Sequence, residues 1–228
     1  MDERQKESWK IRPDNPLLYR MIRWQLLEPI LSQGTISCPN LNTIERYHAY
    51  PLAKPNMISK RATTPVSVDP FGSLHDYVAF YFAPRSPMLY SIYARNQEGV
   101  NCEQSDIIYL VTDLNRLKAE NCQLVVTDGN AVTGYTKFES KNIDDFVKNN
   151  IDWEVMQAIY WNIKDKSKNN YEYGRWVRHA ECLVYKQLSV KSLIGIAVMD
   201  NLLKETLEII ISKCGYSMPV LVKEKWYF

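Results

Sequence analysis

Apolar and polar positions begin to alternate at Leu17 and continue to Trp24, with Arg20 and Arg23 among the polar members, which predicts a β-strand. From Gln25 to Gln33 the apolar residues Leu26, Leu27, Ile30 and Leu31 fall at helical spacing. Pro29 is tolerable there only in the first turn, and Gly34 follows as a helix stop. Residues 35–73 lose this periodicity and carry five prolines (Pro39, Pro51, Pro55, Pro65 and Pro70), which predicts a long loop; loops of that length are more often functional than filler. The dense stretch His75 to Phe82 predicts a strand, broken at Ala83 to Pro87 before a short helix from Met88 to Tyr93.

The second half is read in the same way. Asp106 to Thr112 and Cys122 to Thr127 predict strands, the latter closed by a turn at Asp128-Gly129. Helices are expected over Asp144 to Asn149 and Trp153 to Trp161, then a polar, basic loop over 162–175. Ala180 to Tyr185 and Lys191 to Met199 predict strands. Asp200 caps a helix with Leu203, Leu207, Ile210 and Ile211 on one face, and Gly215 ends it. Val220 to Val222 and Trp226 to Phe228 supply a last strand. The expectation is a polar extension over residues 1–16 and one mixed α+β domain over 17–228, with no internal repeat.

Composition adds exclusions. Of 228 residues, 46% are hydrophobic and 24% charged, as in a globular chain with a core, and no apolar run approaches a membrane span of about 20 residues. The charged start, without an apolar signal core, predicts a cytoplasmic protein. Five widely spaced cysteines without a Cys-x-x-Cys pair, and three histidines far apart, predict neither a disulfide framework nor a metal site. No glycine loop for phosphate and no G-x-S-x-G elbow is present.

Against that background Glu181 stands out, a single carboxylate inside an apolar strand. It either faces solvent from an edge strand or is buried, where a carboxylate is costly unless paired or chemically useful. Lys164, Lys166, Lys168, Arg175 and Arg178 precede it against Asp165 and Glu172, a run that is either a solvated face or a phosphate-binding one. Fifteen tyrosines and six tryptophans suit a core, and beside Lys and Arg they also suit stacking on bases. One carboxylate with arginines and aromatics fits chemistry at an anomeric carbon, because it holds a ribose hydroxyl and stabilises an oxocarbenium ion while arginine holds phosphate.

The blocks Ser59-Lys-Arg61-Ala-Thr-Thr-Pro65, Gly72 to Leu89, Ile107 to Val111, Val125 to Gly129, Ile151-Asp-Trp153 and Arg178-His-Ala-Glu181 resemble, in order, the DarT DNA ADP-ribosyltransferase toxins. The resemblance implies an ADP-ribosyltransferase-like split β-sheet with short flanking helices and NAD in its cleft. It also implies transfer of ADP-ribose to thymine or guanine in single-stranded DNA, with RNA as the alternative target, and a macrodomain-type antitoxin as partner. By the same resemblance Glu181 is the catalytic glutamate and Arg61 an arginine important for transfer. Tyr81 and Ser86 lie along the nicotinamide pocket, and Lys164, Lys166, Lys168, Arg175 and Arg178 meet the nucleic acid. His75 either donates to NAD or fixes the turn that enters its strand. Arg23 stands where the family pattern carries a histidine that contacts an NAD ribose, which implies an altered grip on NAD, another target or weakened catalysis.

Overall fold

The computed structural model describes residues 14–44, 50–96, 99–159, 161 and 171–228. Most of the expected N-terminal extension, and Lys164, Lys166 and Lys168, therefore lie outside the described residues. The chain begins with β1 (Leu17–Arg23), a 3-10 turn at Trp24–Leu26 and α1 (Leu27–Gln33). Pro29 sits in the first turn of α1, and Gly34 ends it in the left-handed conformation (φ 71°), as the pattern requires. Next come β2 (Thr35–Ser37) and α2 (Pro55–Thr63), followed by β3 (Tyr77–Tyr81) and α3 (Pro87–Tyr93). After them lie β4 (Ile107–Asp113), α4 (Leu114–Ala119), β5 (Leu124–Asn130) and β6 (Phe138–Glu139). Three helices follow: α5 (Ile143–Asn150), α6 (Trp153–Gln157) and α7 (Tyr171–Val177). The last elements are β7 (Ala180–Tyr185), β8 (Gln187–Ser189), β9 (Gly195–Val198), α8 (Asn201–Lys213) and β10 (Val220–Val222).

Eight strands form one sheet in the order β10-β9-β4-β1-β3-β7-β5-β6, and every pairing except β9 with β10 is antiparallel. The sheet has a seam. β1 pairs with β4 through seven residues, whereas β1 and β3 share the single register Tyr19 to Tyr81. This is the expected α+β architecture with a split sheet. Across the seam Arg20 of β1 donates to the Ala79 carbonyl of β3 at 3.0 Å, a side chain replacing a missing ladder bond.

Period-two alternation explains why both faces are covered. Val78, Phe80 and Phe82, with Leu18, Ile108, Leu110, Cys182 and Val184, join the main core beneath α1, α5, α6 and α8. Tyr19, Met21, Tyr109 and Ala197 face the other way, against α3 and the buried pair Trp226 and Tyr227. That second layer corrects the expected final strand: Glu224–Trp226 is a 3-10 turn, and the Tyr227 hydroxyl donates to the Ile107 carbonyl at 2.9 Å. Four other expectations shift. β5 runs through Asp128-Gly129 to Asn130 with a register shift after Val126, and α6 stops at Gln157. The described end of the loop expected over 162–175 is helical as part of α7, and the strand expected from Lys191 is a 3-10 turn, Val190–Ser192, before β9.

The placement of Arg178 also corrects an expectation. It is 3% exposed, and its guanidinium donates to five carbonyls, those of Val155, Met156, Ala158, Pro84 and Arg85. Burial pushes its pKa down to about 10, so it stays charged at neutral pH. It joins the segment after β3 to the end of α6 and does not face solvent phosphate. Arg178→Met is expected to destabilise the protein by about 3 kcal/mol, the scale for orphaning buried polar groups. Arg178→Lys should recover only part, because an ammonium cannot span the same carbonyls; thermal melts of the three proteins check this.

Candidate active site

A cleft of about 790 Å³ opens along the seam, large enough for a nucleotide-sized ligand. β1 contributes Arg20, Met21 and Arg23, and β3 contributes Tyr77, Ala79 and Tyr81 from the face opposite the main core. In β7 Glu181 pairs with Tyr81, and registered neighbours share a face, so the alternation that buries Cys182 and Val184 in the core turns Glu181 into the cleft. Glu181 is 2% exposed. Its backbone N–H donates to the Thr127 hydroxyl at 2.9 Å, and that hydroxyl donates to the Gly129 carbonyl at 2.8 Å. Thr127 thus takes the place of a ladder bond where β5 changes register.

The carboxylate is answered by Arg61. Nη1 donates to Oε1 at 2.9 Å and Nη2 to Oε2 at 3.1 Å, a two-pronged pair whose side chains are 20% and 3% exposed. Arg61 sits in the last turn of α2 and not in a loop, correcting the expectation for residues 35–73. None of the nine residues of α2 is buried, so the helix lacks the apolar stripe that would have revealed it; Pro55 in its first turn was the available signal.

His75 lines the cleft from a 3-10 turn, Leu74–Asp76, closed by a Ser73–Asp76 capping box. Burial, then the Arg61 charge, hold the pKa of its ring below the ordinary imidazole value. The turn that carries it is tied to the end of α2 by the Leu74 N–H, which donates to the Thr64 carbonyl at 3.0 Å. Burial first, and then the Glu181 charge, raise the pKa of the Tyr81 phenol, so it stays a neutral hydroxyl. Arg23 reaches the Asn101 carbonyl at 2.5 Å, lies 3.6 Å from Asp106 and stands over the Tyr50 ring at 5.2 Å. Ser86 is buried and is not among the residues lining the cleft. Its hydroxyl caps α3 by accepting from the Leu89 N–H at 3.2 Å, and it lies 3.9 Å from the sulfur of Met21, which does line the cleft. Arg175 is exposed at the cleft edge on α7.

The lining also includes polar residues that the sequence did not mark as site residues, among them Arg20, Asn130 and His179. His179 Nδ1 lies 2.9 Å from the Arg175 carbonyl, which can only accept, so Nδ1 carries the proton and Nε2 a lone pair. Burial pushes its pKa down to about 4. Among the described residues, no group of histidine, cysteine and carboxylate side chains is placed to hold a metal ion, and no helix is long and apolar enough to cross a membrane.

A cleft with one carboxylate able to stabilise positive charge, flanked by guanidinium groups suited to phosphate, is equipped for substitution at an anomeric carbon. Its position at the seam of a split sheet agrees with the ADP-ribosyltransferase class that the sequence blocks resemble. Comparison narrows this class. Residues 19–228 match the family described as "DarT: ssDNA thymidine ADP-ribosyltransferase, DarT", and the chain belongs to that family. A DNA ADP-ribosyl transferase of Escherichia coli O127:H6 is 29% identical over 224 residues, covering 97% of both chains. The solved structure of Thermus sp. 2.9 DarT in complex with ADP-ribosylated ssDNA superposes with a TM-score of 0.81 at 27% identity, covering 93% of this chain and 96% of that one. The same Thermus protein has also been solved in complex with NAD+ (TM-score 0.76, 28% identity, 95% of this chain and 98% of that one). A Thermosipho africanus protein, a DNA ADP-ribosyl transferase fused to a DNA ADP-ribosyl glycohydrolase, is 26% identical over 160 residues; these span 68% of this chain and 36% of the fusion.

Two outcomes follow from the geometry. Arg61→Ala leaves a buried carboxylate unanswered and is expected to cost about 2–3 kcal/mol, and adding Glu181→Gln should recover most of that by removing the charge; denaturant titrations of the wild type and both variants measure it. His179 has a folded pKa below its unfolded value of about 6.5, so between about pH 6.5 and pH 4 the unfolded chain binds more protons and stability falls as pH falls. Melting temperatures across that window should therefore drop less in His179→Phe than in the wild type.

Proposed function

We propose that the protein transfers ADP-ribose from NAD to thymidine in single-stranded DNA. The observation that carries this reading is the placement of Glu181, buried at the seam, facing the cleft and within reach of Arg61. In NAD the nicotinamide ring is cationic and leaves as a neutral molecule, so its departure needs no acid. What the reaction needs is a fixed negative charge beside the ribose as the carbon–nitrogen bond breaks and oxocarbenium character develops. Glu181 supplies that charge and accepts a hydrogen bond from a ribose hydroxyl. The Arg61 guanidinium, which now fills both carboxylate oxygens, turns to phosphate as the hydroxyl takes its place. Thymine contributes its ring N3: a new N3–C1′ bond forms, the C1′–nicotinamide bond breaks, and the N3 proton is released. Tyr81 and His75 line the donor side, and Arg23, anchored by Asn101 and Asp106, presents a cation where an NAD phosphate or ribose lies. Arg175 and the lysines at 164, 166 and 168 favour the DNA backbone.

The reading extends to a partner and a setting. A transferase that marks DNA is harmful to its own cell unless the mark is removed, and the fused glycohydrolase of the Thermosipho relative is chemistry of that kind. A macrodomain-type antitoxin acting in the cytoplasm as the eraser fits a toxin–antitoxin pair, and restricting DNA in this way suits defence against phage.

The test is incubation of the protein with labelled NAD and an equal mixture of single-stranded DNA and RNA, followed by mass mapping of the adduct. Label is expected on thymidine of DNA, and Glu181→Ala should lower it by about 100-fold or more. Label on RNA alone, on guanine, or on neither polymer would overturn the assignment.

A further inference from the structure

Beside the cleft, on the β5 and α7 side, three aromatic rings form a cluster that the transfer chemistry leaves unused. Trp176 packs against the backbone of β5: a Cβ added at Gly129 would sit 2.0 Å from its ring, so only glycine permits the contact. Its indole N–H donates to the Thr136 hydroxyl at 2.8 Å, which in turn donates to the Asn130 carbonyl at 2.6 Å. The ring centroid of Tyr135 is 5.3 Å from that of Trp176 at an interplanar angle of 49°, and that of Tyr173 is 5.9 Å away at 42°, both tilted contacts. Tyr173 is tethered by its hydroxyl to Asp152 at 2.8 Å. The loop carrying Tyr135 is tied by bonds from the Thr133 and Thr136 N–H groups to the carbonyls of Asn130 and Thr133. On this fixed loop Tyr135 is 70% exposed, an apolar ring presented to solvent by a rigid support.

We propose that Tyr135, backed by Trp176, is a stacking platform for a nucleotide that flanks the modified thymidine, and so a determinant of sequence context. The inference rests on the reading of single-stranded DNA as target. Its position supports it: Asn130, at the root of the Tyr135 loop, and Arg175, next to Trp176, both line the cleft, so the platform continues the cleft wall. Its charge supports it too: Lys137, two residues from Tyr135, and Arg175, next to Trp176, are exposed, while Asp128, which accepts from the Lys137 N–H, is buried and Glu172 is the one acidic residue of α7. Aromatic faces interleaved with cations hold single strands by stacking, with the backbone neutralised alongside.

The test uses a short fluorescent single strand with one central thymidine among adenines, and two versions in which the adenine on one side or the other is replaced by an abasic site. Anisotropy titrations give affinity without requiring chemistry. Wild type is expected to lose roughly tenfold in affinity for one of the abasic strands, the scale of one base–aromatic stack. Tyr135→Ala should lose about as much on the intact strand and nothing further on that abasic one, while Tyr135→Phe, which keeps the ring, should bind as wild type does. Equal affinity of wild type and Tyr135→Ala for the intact strand would overturn the platform. Binding that follows the expected pattern without any transfer of labelled ADP-ribose would overturn the enzymatic reading and leave the platform standing. Absence of binding to any of the three strands overturns both.

Discussion

A carboxylate at 2% exposure cannot stand alone, and the cleft is arranged around that constraint. Glu181 is carried into a low-dielectric position by a strand whose neighbours on both sides are apolar, so an opposing charge has to come from elsewhere in the chain. It comes from α2, a surface helix held in place through its last turn. At the end of the same helix the Thr64 carbonyl accepts from the Leu74 N–H, so this bond and the pair Arg61–Glu181 together close one side of the cleft. Polar ties of this kind hold α2 in place, because it buries no side chain of its own.

The second condition is alternation. In β3 and β7 one set of side chains is given to the core and the other to the cleft, and a one-residue slip of β7 would bury Cys182 against Tyr81 and drive Glu181 into the main core. Thr127 guards that register, since its hydroxyl binds the Glu181 N–H at the point where β5 departs from regular pairing. The chemistry and the packing therefore depend on the same few backbone positions. The buried Arg178 performs a comparable service from below by fixing the segments around Pro84 and Met156 against each other.

Much of this was legible in the residues. A lone glutamate in an apolar strand signals its own importance through cost, and Gly34, Asp200 and the strand patterns behave as their local chemistry dictates. The split of the sheet was not visible in periodicity, because a seam is a matter of which strands fail to pair; it came with the family resemblance. α2 was missed because helical periodicity is a record of burial, and this helix has none. Arg178 was misplaced because a basic residue in a basic run looks solvated until five carbonyls are found around it. Ser86, expected along the pocket, is a helix cap one layer beneath it, and His179, which the sequence shows only inside the block Arg178-His-Ala-Glu181, stands at the cleft with its ring held neutral.

The seam gives the ligand a structural part. The two halves of the sheet meet through a single backbone register at Tyr19 and Tyr81, reinforced by the Arg20 bond to Ala79, while each half is internally well laddered. A molecule lying in the cleft touches β1 on one side and β3 and β7 on the other. Whatever free energy a ligand gains there is also cohesion between the halves, so filling the cleft reinforces the line along which the backbone ladder is thinnest.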